Sequence, residues 1–350
     1  MNIRQRVIGD NNPTYIIAEM SANHAGELNR AKEIIHAAKE AGADCIKIQT
    51  YTADTITINC NKPDFFIDNG TWSGENLYKL YDKAHTPWEW QAELKAEADK
   101  IGIDFFSTPF DNTSVDFLEE SGIEFYKIAS FELVDIPLIK YVASKGKPMI
   151  ISTGMATLEE IERAVNTVKA CNNYEYALLR CASAYPAITD EMNLATMKNM
   201  KEVFSVPVGL SDHSMGSVGA VTAVALGANL VEKHFCMSRA IDNPDSSFSM
   251  EPNEFSRMVD DIRQAEKAIG KVIYGPSKQE EYNLNFRKSI YCVKDIKKGE
   301  LITPDNVRVI RPGYGESPAC YEEMLGRVAL FDIERGDRMS MDKVDKYERC

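Results

Sequence analysis

Val206-Pro-Val-Gly-Leu-Ser-Asp-His213 and, one segment later, Asn229-Leu-Val-Glu-Lys-His234 show one pattern twice. Each is a short apolar run that breaks into polar, chemically able side chains. Residues 216 to 226 between them are small and mostly apolar and read as a helix. A buried strand, a helix and a second buried strand form a parallel crossover unit. His213 and His234, each ending its strand, can meet at one divalent metal. Taken singly, each is as readily a histidine hydrogen-bonded to a loop.

The unit repeats outward in both directions. Upstream strands are Tyr15-Ile-Ile-Ala-Glu19, Asp44-Cys-Ile-Lys-Ile-Gln49, Asp104-Phe-Phe-Ser-Thr108, Glu124-Phe-Tyr-Lys-Ile128, Pro148-Met-Ile-Ile-Ser152 and Tyr176-Ala-Leu-Leu-Arg180. Helical patterns follow them at 28–41, 87–102, 113–121, 137–144, 158–170 and 193–203, and a last one spans 252–269 after His234. Eight strands, each with its helix, predict a (β/α)8 TIM barrel. An open doubly wound sheet is the alternative, and no GxGxxG follows the first strand to support it. Residues 51 to 86 interrupt the rhythm with an insertion bearing Trp72, Tyr78 and Tyr81, a length typical of functional loops. Past Gly275 the alternation ends. Short strands over 289–293, 297–303, 307–310 and 311–315, set among Gly and Pro, predict a small β-rich domain. The expected division is a barrel over 1–270, a linker over 271–288 and the β-rich domain over 289–350, with the tail from Asp345 read as an exposed end.

A net charge of −13 speaks against nucleic-acid binding. It also means that an anionic substrate would need positive groups gathered locally. No apolar run reaches membrane-spanning length, and the first residues carry no signal-peptide pattern. The eight cysteines are scattered without a CxxC. Those in strands, such as Cys45, Cys181 and Cys236, read as small buried apolar residues, so reduced thiols in a cytoplasm are expected.

A barrel of this kind works at the C-terminal ends of its strands. Those ends carry Glu19, Lys47, Gln49, Lys127, Ser130, Glu132, Ser152, Arg180, Ser183, Tyr185, Ser211, Asp212, His213, Glu232 and His234. By alternation Lys47 and Lys127 face the barrel interior, where a lysine needs a partner or a bound anion. With Ser130, Ser152 and Ser211 they predict a phosphate or carboxylate pocket. A Schiff-base lysine is the other chemistry open to them, and pairing with Glu19 or Glu132 fits both. His24 is either a third metal ligand or a loop cap. Asp245, after the eighth strand, can reach substrate hydroxyls. His36 and His85 read as structural.

Ile16-Ile-Ala-Glu19, Asn23-His24, Lys47-Ile-Gln49, Lys127-Ile-Ala-Ser130, Ser152-Thr-Gly-Met155, Tyr185-Pro186, Gly209-Leu-Ser-Asp-His213 and Glu232-Lys-His-Phe235 together resemble the sialic acid synthase family. Arg287-Lys-Ser289 and Arg311-Pro-Gly resemble that family's C-terminal antifreeze-like (SAF) domain. The resemblance implies condensation of phosphoenolpyruvate with an open-chain amino sugar, releasing phosphate by C–O cleavage. It implies a divalent metal, Mn2+ before Mg2+ or Co2+, on His213 and His234. Phosphoenolpyruvate would lie on Lys47, Lys127, Ser130, Ser152 and Ser211. The sugar would be held or protonated by Glu19, Gln49, Glu132, Tyr185 and Asp245. It further implies a domain-swapped homodimer in which Arg311 reaches the partner's sugar.

Within the family, Glu19-Met-Ser-Ala-Asn-His24, the 70–88 insertion and Asp245-Ser-Ser-Phe-Ser resemble the pseudaminic acid branch. Ser183 and Phe131 stand where the N-acetylneuraminate branch has Asn and Gly. They point to a 6-deoxy, diacetamido sugar, whose methyl groups the insertion's aromatics would suit. N-acetylneuraminate or legionaminate synthesis, a metal-dependent hydrolase and a non-catalytic sugar-binding protein are the competing readings. The two lysines and the filled set of strand ends count against the last two.

Overall fold

A computed structural model of the chain describes residues 1–346, so the end of the tail expected to be exposed, 347–350, lies outside the described residues. The chain divides into a compact unit over Met1–Gly270 and a second one beginning at Lys271.

In the first unit eight strands close a barrel: β1 (Tyr15–Glu19), β2 (Cys45–Thr50), β3 (Asp104–Pro109), β4 (Tyr126–Ile128), β5 (Met149–Ser152), β6 (Tyr176–Cys181), β7 (Val208–Asp212) and β8 (Leu230–His234). They pair parallel in chain order, and β8 pairs back on β1. The helices between them are α1 (Leu28–Glu40), α2 (Gln91–Ile101), α3 (Asn112–Glu120), α4 (Ile136–Ala143), α5 (Leu158–Ala170), α6 (Ala195–Phe204), α7 (Val218–Ala225) and α8 (Pro252–Ile269). This is the expected TIM barrel. Strands such as Met149-Ile-Ile-Ser152 are buried throughout because helices cover the outside and side chains fill the inside. Local signals set the helix ends. Thr157 and Glu160 form a capping box at the start of α5, and Gly102, at φ +70°, ends α2. Before the barrel, the hairpin of Asn2–Ile3 and Arg6–Val7 sends Arg4 to Asp104 and Arg6 to Asp44, at the N-terminal ends of β3 and β2.

Several boundaries differ from the sequence expectation: β4 begins at Tyr126 rather than Glu124, and two others have a clear cause. β7 begins at Val208, two residues late, because Pro207 has no N–H for the ladder. The strand also ends two residues later than expected, at Asp212, so Ser211 and Asp212 lie inside it, on opposite faces. Pro87 opens a short 3-10 turn (Trp88–Trp90), and α2 follows it.

The second unit has a core that includes Ile290, Cys292, Ile302, Val307, Met324 and Met339. Ser289–Cys292 and Val307–Ile310 pair as antiparallel strands. The strands expected over 297–303 and 311–315 are corrected: those stretches make only isolated bridges or turns, among Gly299 at φ +88° and Pro312. Within the expected linker, Glu281–Phe286 forms a 3-10 helix. Among the described residues no helix is long and apolar enough to cross a membrane.

Candidate active site at the C-terminal mouth of the barrel

The centre of the mouth is a carboxylate. Glu232 of β8 is 4% exposed and lies between the two inward lysines. Lys127 Nζ donates to Glu232 Oε1 at 2.7 Å and Oε2 at 2.9 Å, and Lys47 Nζ donates to Oε1 at 2.8 Å. Ser211 Oγ adds a bond at 3.2 Å. Lys47 also lies 2.9 Å from Glu19 Oε2, an ion pair without hydrogen-bond alignment, while Gln49 Nε2 donates to Glu19 Oε1 at 3.1 Å. Register explains the gathering: Glu19 is level with His234 on one side and Lys47 on the other. Burial draws Glu232 up, but Lys127 and Lys47 outweigh it and hold it well below the carboxylate range. Burial draws Lys47 down to about 7, with Lys127 adding to the fall and Glu232 opposing it.

Of the two carboxylates expected to pair with the lysines, Glu19 does so with Lys47, and Glu132 does not, since Lys127 turns to Glu232. Sequence reasoning placed Glu232 at a strand end without a role. The signal was its spacing: two residues before His234, it must share that residue's face. Lys233 between them points outward to Asp212 at 2.7 Å, a buried pair that ties β7 to β8.

The hydroxyls line a neighbouring wall. Ser152 Oγ, at the end of β5, is buried with no hydrogen-bond partner. A buried orphan donor of this kind fits a site built to receive a ligand. Ser130 and Ser183 converge on Gly154, where a Cβ would meet Ser130 Cβ at 2.5 Å and both hydroxyls at 2.8 Å. Arg180, by contrast, is structural, donating to Gly154 O at 2.8 Å and Met192 O at 3.0 Å.

His213 and His234 stand side by side, ring centroids 5.2 Å apart. His213 Nδ1 is bound to Ala182 O at 3.0 Å, which leaves Nε2 as the nitrogen open to a ligand. His234 Nδ1 is buried and has no partner. These two imidazoles fit a divalent ion. Among the described residues no group of three or more His, Cys, Asp and Glu gathers as a metal site. Cys181 Sγ lies 3.7 Å from His213 Nδ1. Burial pushes its thiol up, but His213, Ser130 and Ser183 outweigh that and draw it down to about 6.

Glu132 lies in the turn after β4, half-buried, with its Oε2 atom buried and unpartnered. Burial raises its carboxyl to about 7, with Asp135 raising it further and Lys127 opposing. Asp245 accepts from Ala22 N at 3.1 Å, and burial raises it too.

The insertion folds back onto this mouth. Its tip lies between Gly70 and Gly74, both near φ +90°. Thr71 Oγ1 bonds to Tyr185 O, and Trp72 Nε1 donates to Pro244 O at 2.8 Å. Trp72 packs on Tyr185 at 5.4 Å, and Tyr185 packs on His213 at 4.2 Å. Phe248 completes the wall, 5.0 Å from His234.

The structure also places four further residues named from the sequence, and of these Tyr78 departs from its expectation while His24 takes one of its two. Tyr78 is corrected: its hydroxyl reaches Asp54 at 3.1 Å, away from the aromatic wall. His24 is the loop cap: Nδ1 accepts from Gly26 N at 3.0 Å, Nε2 faces Thr86 Oγ1 at 3.3 Å, and burial lowers it to about 4. Arg311 is exposed in the second unit. Phe131 is also exposed, next to Glu132.

Comparison with known proteins adds three findings. The NeuB family model matches residues 34–274, and the SAF domain model matches 287–344. Pseudaminic acid synthase of Campylobacter jejuni is 46% identical over 93% of this chain and 95% of its own length. That of Helicobacter pylori is 42% identical over 95% of this chain and 98% of its own. Among solved structures, N-acetylneuraminic acid synthetase from Leptospira borgpetersenii, in complex with citrate, superposes with a TM-score of 0.73 at 32% identity, covering 82% of this chain and 95% of that one.

Proposed function

The chain belongs to the NeuB family, and from that membership we propose that it joins phosphoenolpyruvate to 2,4-diacetamido-2,4,6-trideoxy-L-altrose, giving pseudaminic acid and phosphate. One observation of the site carries the reading: two buried lysines, already clasping an anion, lie beside a histidine pair in the same barrel mouth. Lysines there suit a phosphate, and the imidazoles suit an aldehyde's oxygen. N-acetylneuraminate or legionaminate synthesis would use the same centre with other contacts to the sugar.

Each residue then has a task. Lys47, Lys127, Ser130, Ser152 and Ser211 bind phosphoenolpyruvate. Glu19, Gln49, Ser183, Tyr185 and Asp245 hold the sugar. His213 and His234 would hold the divalent ion, Mn2+ with Mg2+ or Co2+ as substitutes, which supplies Lewis-acid polarisation of the aldehyde. The enol carbon C3 bonds to the aldehyde carbon, and Glu132 gives its proton to the aldehyde oxygen. Positive charge left on C2 is quenched by water, whose proton returns to Glu132. The remaining C2 hydroxyl proton passes to the ester oxygen as the C2–O bond breaks, which leaves the ketone, and Lys127 stabilises the departing hydrogen phosphate.

The test is incubation with phosphoenolpyruvate, Mn2+ and each sugar in turn, following phosphate and product mass. Turnover of the altrose sugar is expected. Turnover of N-acetylmannosamine alone would reassign the substrate, and undiminished turnover after chelation would remove the metal.

Glu132 makes a pH prediction. With its carboxyl at about 7, the acid form is present below that pH and lost above it. Lys47, also at about 7, loses its charge over the same range. kcat/KM should therefore fall above pH 7 with a slope steeper than one proton. Glu132→Gln should return a single-proton slope and lose roughly 10²-fold in kcat. An unchanged profile would take Glu132 out of the chemistry.

The same membership supports a domain-swapped homodimer with Arg311 at the partner's sugar, domain limits at 270 and 289, and work in the cytoplasm. Mixing a His234→Ala variant with an Arg311→Ala variant should restore activity through heterodimers. No restoration on mixing would place Arg311 outside the partner's site.

A further inference from the structure

Trp72 is the one insertion aromatic that reaches the wall of the histidine pair. Its indole lies 5.4 Å from Tyr185 and 6.2 Å, edge-on, from Phe248. Tyr185 and Phe248 in turn flank His213 and His234. The indole's single polar atom is spent on Pro244 O at 2.8 Å. Phe248 has no polar atom to offer. A sugar substituent pressed against the half-buried Trp72, which Phe248 backs at 1% exposure, therefore gains only by being apolar, and a hydroxyl against the indole face would give up water with nothing in return. The position is fixed as well: Thr71 is bound to Tyr185 O, so the indole cannot swing away without breaking two bonds.

The other insertion aromatics do not share this place. Tyr78 faces Asp54. Tyr81 packs edge-on against Tyr51 at 5.8 Å, on the side of Glu132.

We propose that Trp72 is a specificity-determining residue for the sugar, its indole face receiving a methyl group of the substrate. The methyl is either that of a 6-deoxy carbon or that of an acylamido group, and the chemistry at the wall is the same for both. This rests on the synthase reading above.

The experiment compares wild type, Trp72→Ala and Trp72→Phe on three sugars with phosphoenolpyruvate and Mn2+. These are the diacetamido 6-deoxy sugar, its 6-hydroxy counterpart and its diformamido counterpart. Wild type should prefer the first over one of the others by about 10-fold or more in kcat/KM. Trp72→Ala should shrink that ratio to near unity, chiefly through KM, and Trp72→Phe should retain most of it. Loss against the hydroxy sugar places the deoxy methyl at the wall, and loss against the formamido sugar places the acyl methyl there. Equal falls on all three sugars, or no change, would overturn the proposal. Product from none of them with wild type would instead sink the synthase reading.

A second readout needs no turnover. The chain has three tryptophans. Trp88 stacks on Phe117 and Trp90 packs against His24, both away from the wall. Sugar alone should alter the fluorescence of wild type and leave Trp72→Phe unchanged. Sugar binding seen by calorimetry without that difference would count against the wall.

Discussion

Lys127→Met should lower kcat/KM for phosphoenolpyruvate by roughly 10³-fold, the scale seen when a preorganised charge partner of a transition state is removed. Lys127 is 1% exposed and holds both oxygens of Glu232. Methionine keeps the length of the stem and removes the charge together with its N–H donors. The loss has two parts, and they can be separated. One is chemical: the departing phosphate has lost a cation. The other is structural: Glu232 keeps only Lys47 and Ser211 as partners. Leaving a buried charge short of a partner costs about 3 kcal/mol or somewhat less here, because Lys47 remains. Adding Glu232→Gln to Lys127→Met should recover most of that stability, measured by urea unfolding, and none of the activity. A single variant within tenfold of wild type would mean that the phosphate lies elsewhere. A double variant that regains activity would mean that Lys127 serves only to neutralise Glu232.

The same cluster shows what a sequence can disclose. The barrel was legible because each strand is a short apolar run bounded by polar or Gly residues, with a helix of ordinary length behind it. The facing of Lys47 and Lys127 followed from alternation alone. Their partner did not. Glu232 comes from a third strand, and which of several carboxylates meets two lysines depends on the closure of β8 on β1, a long-range fact. The boundary error at β7 has a similar lesson. The strand starts beyond Pro207 but runs on to Asp212, so alternation turns Ser211 inward to Glu232 and Asp212 outward to Lys233. The insertion was legible only as an insertion. Sequence spacing treats Trp72, Tyr78 and Tyr81 alike, whereas the tip's turn at Gly70 and Gly74 sends Trp72 alone to the wall.

Gly154→Ala should cost about 10² in kcat/KM, read mainly in the KM for phosphoenolpyruvate, a scale that misplacement of binding groups by about an ångström reaches. The residue has φ +46°, a conformation that costs a residue with a Cβ roughly 1 kcal/mol. Space is the larger difficulty. The added carbon would lie 2.5 Å from Ser130 Cβ and 2.8 Å from the hydroxyls of Ser130 and Ser183, so one or both must move. Those two hydroxyls come from the loops after β4 and β6, and the glycine between them comes from the loop after β5. Its absent side chain is what lets three loops close on one spot. Arg180 holds the Gly154 carbonyl at 2.8 Å, so the loop cannot retreat at small cost. Overpacking of this kind destabilises by about 1–3 kcal/mol, which leaves a protein this size folded. Gly102→Ala is the control. It has φ +70° and nothing within 4 Å of a Cβ, so it carries strain without collision. It should lose about 1 kcal/mol of stability and no activity. If Gly154→Ala also leaves KM within twofold, the serines adjust freely and the pocket is not built on that glycine. If it destroys the fold while Gly102→Ala does not, measured by circular dichroism, Gly154 is a packing residue first, and the hydroxyls must be tested one by one as Ser130→Ala and Ser183→Ala.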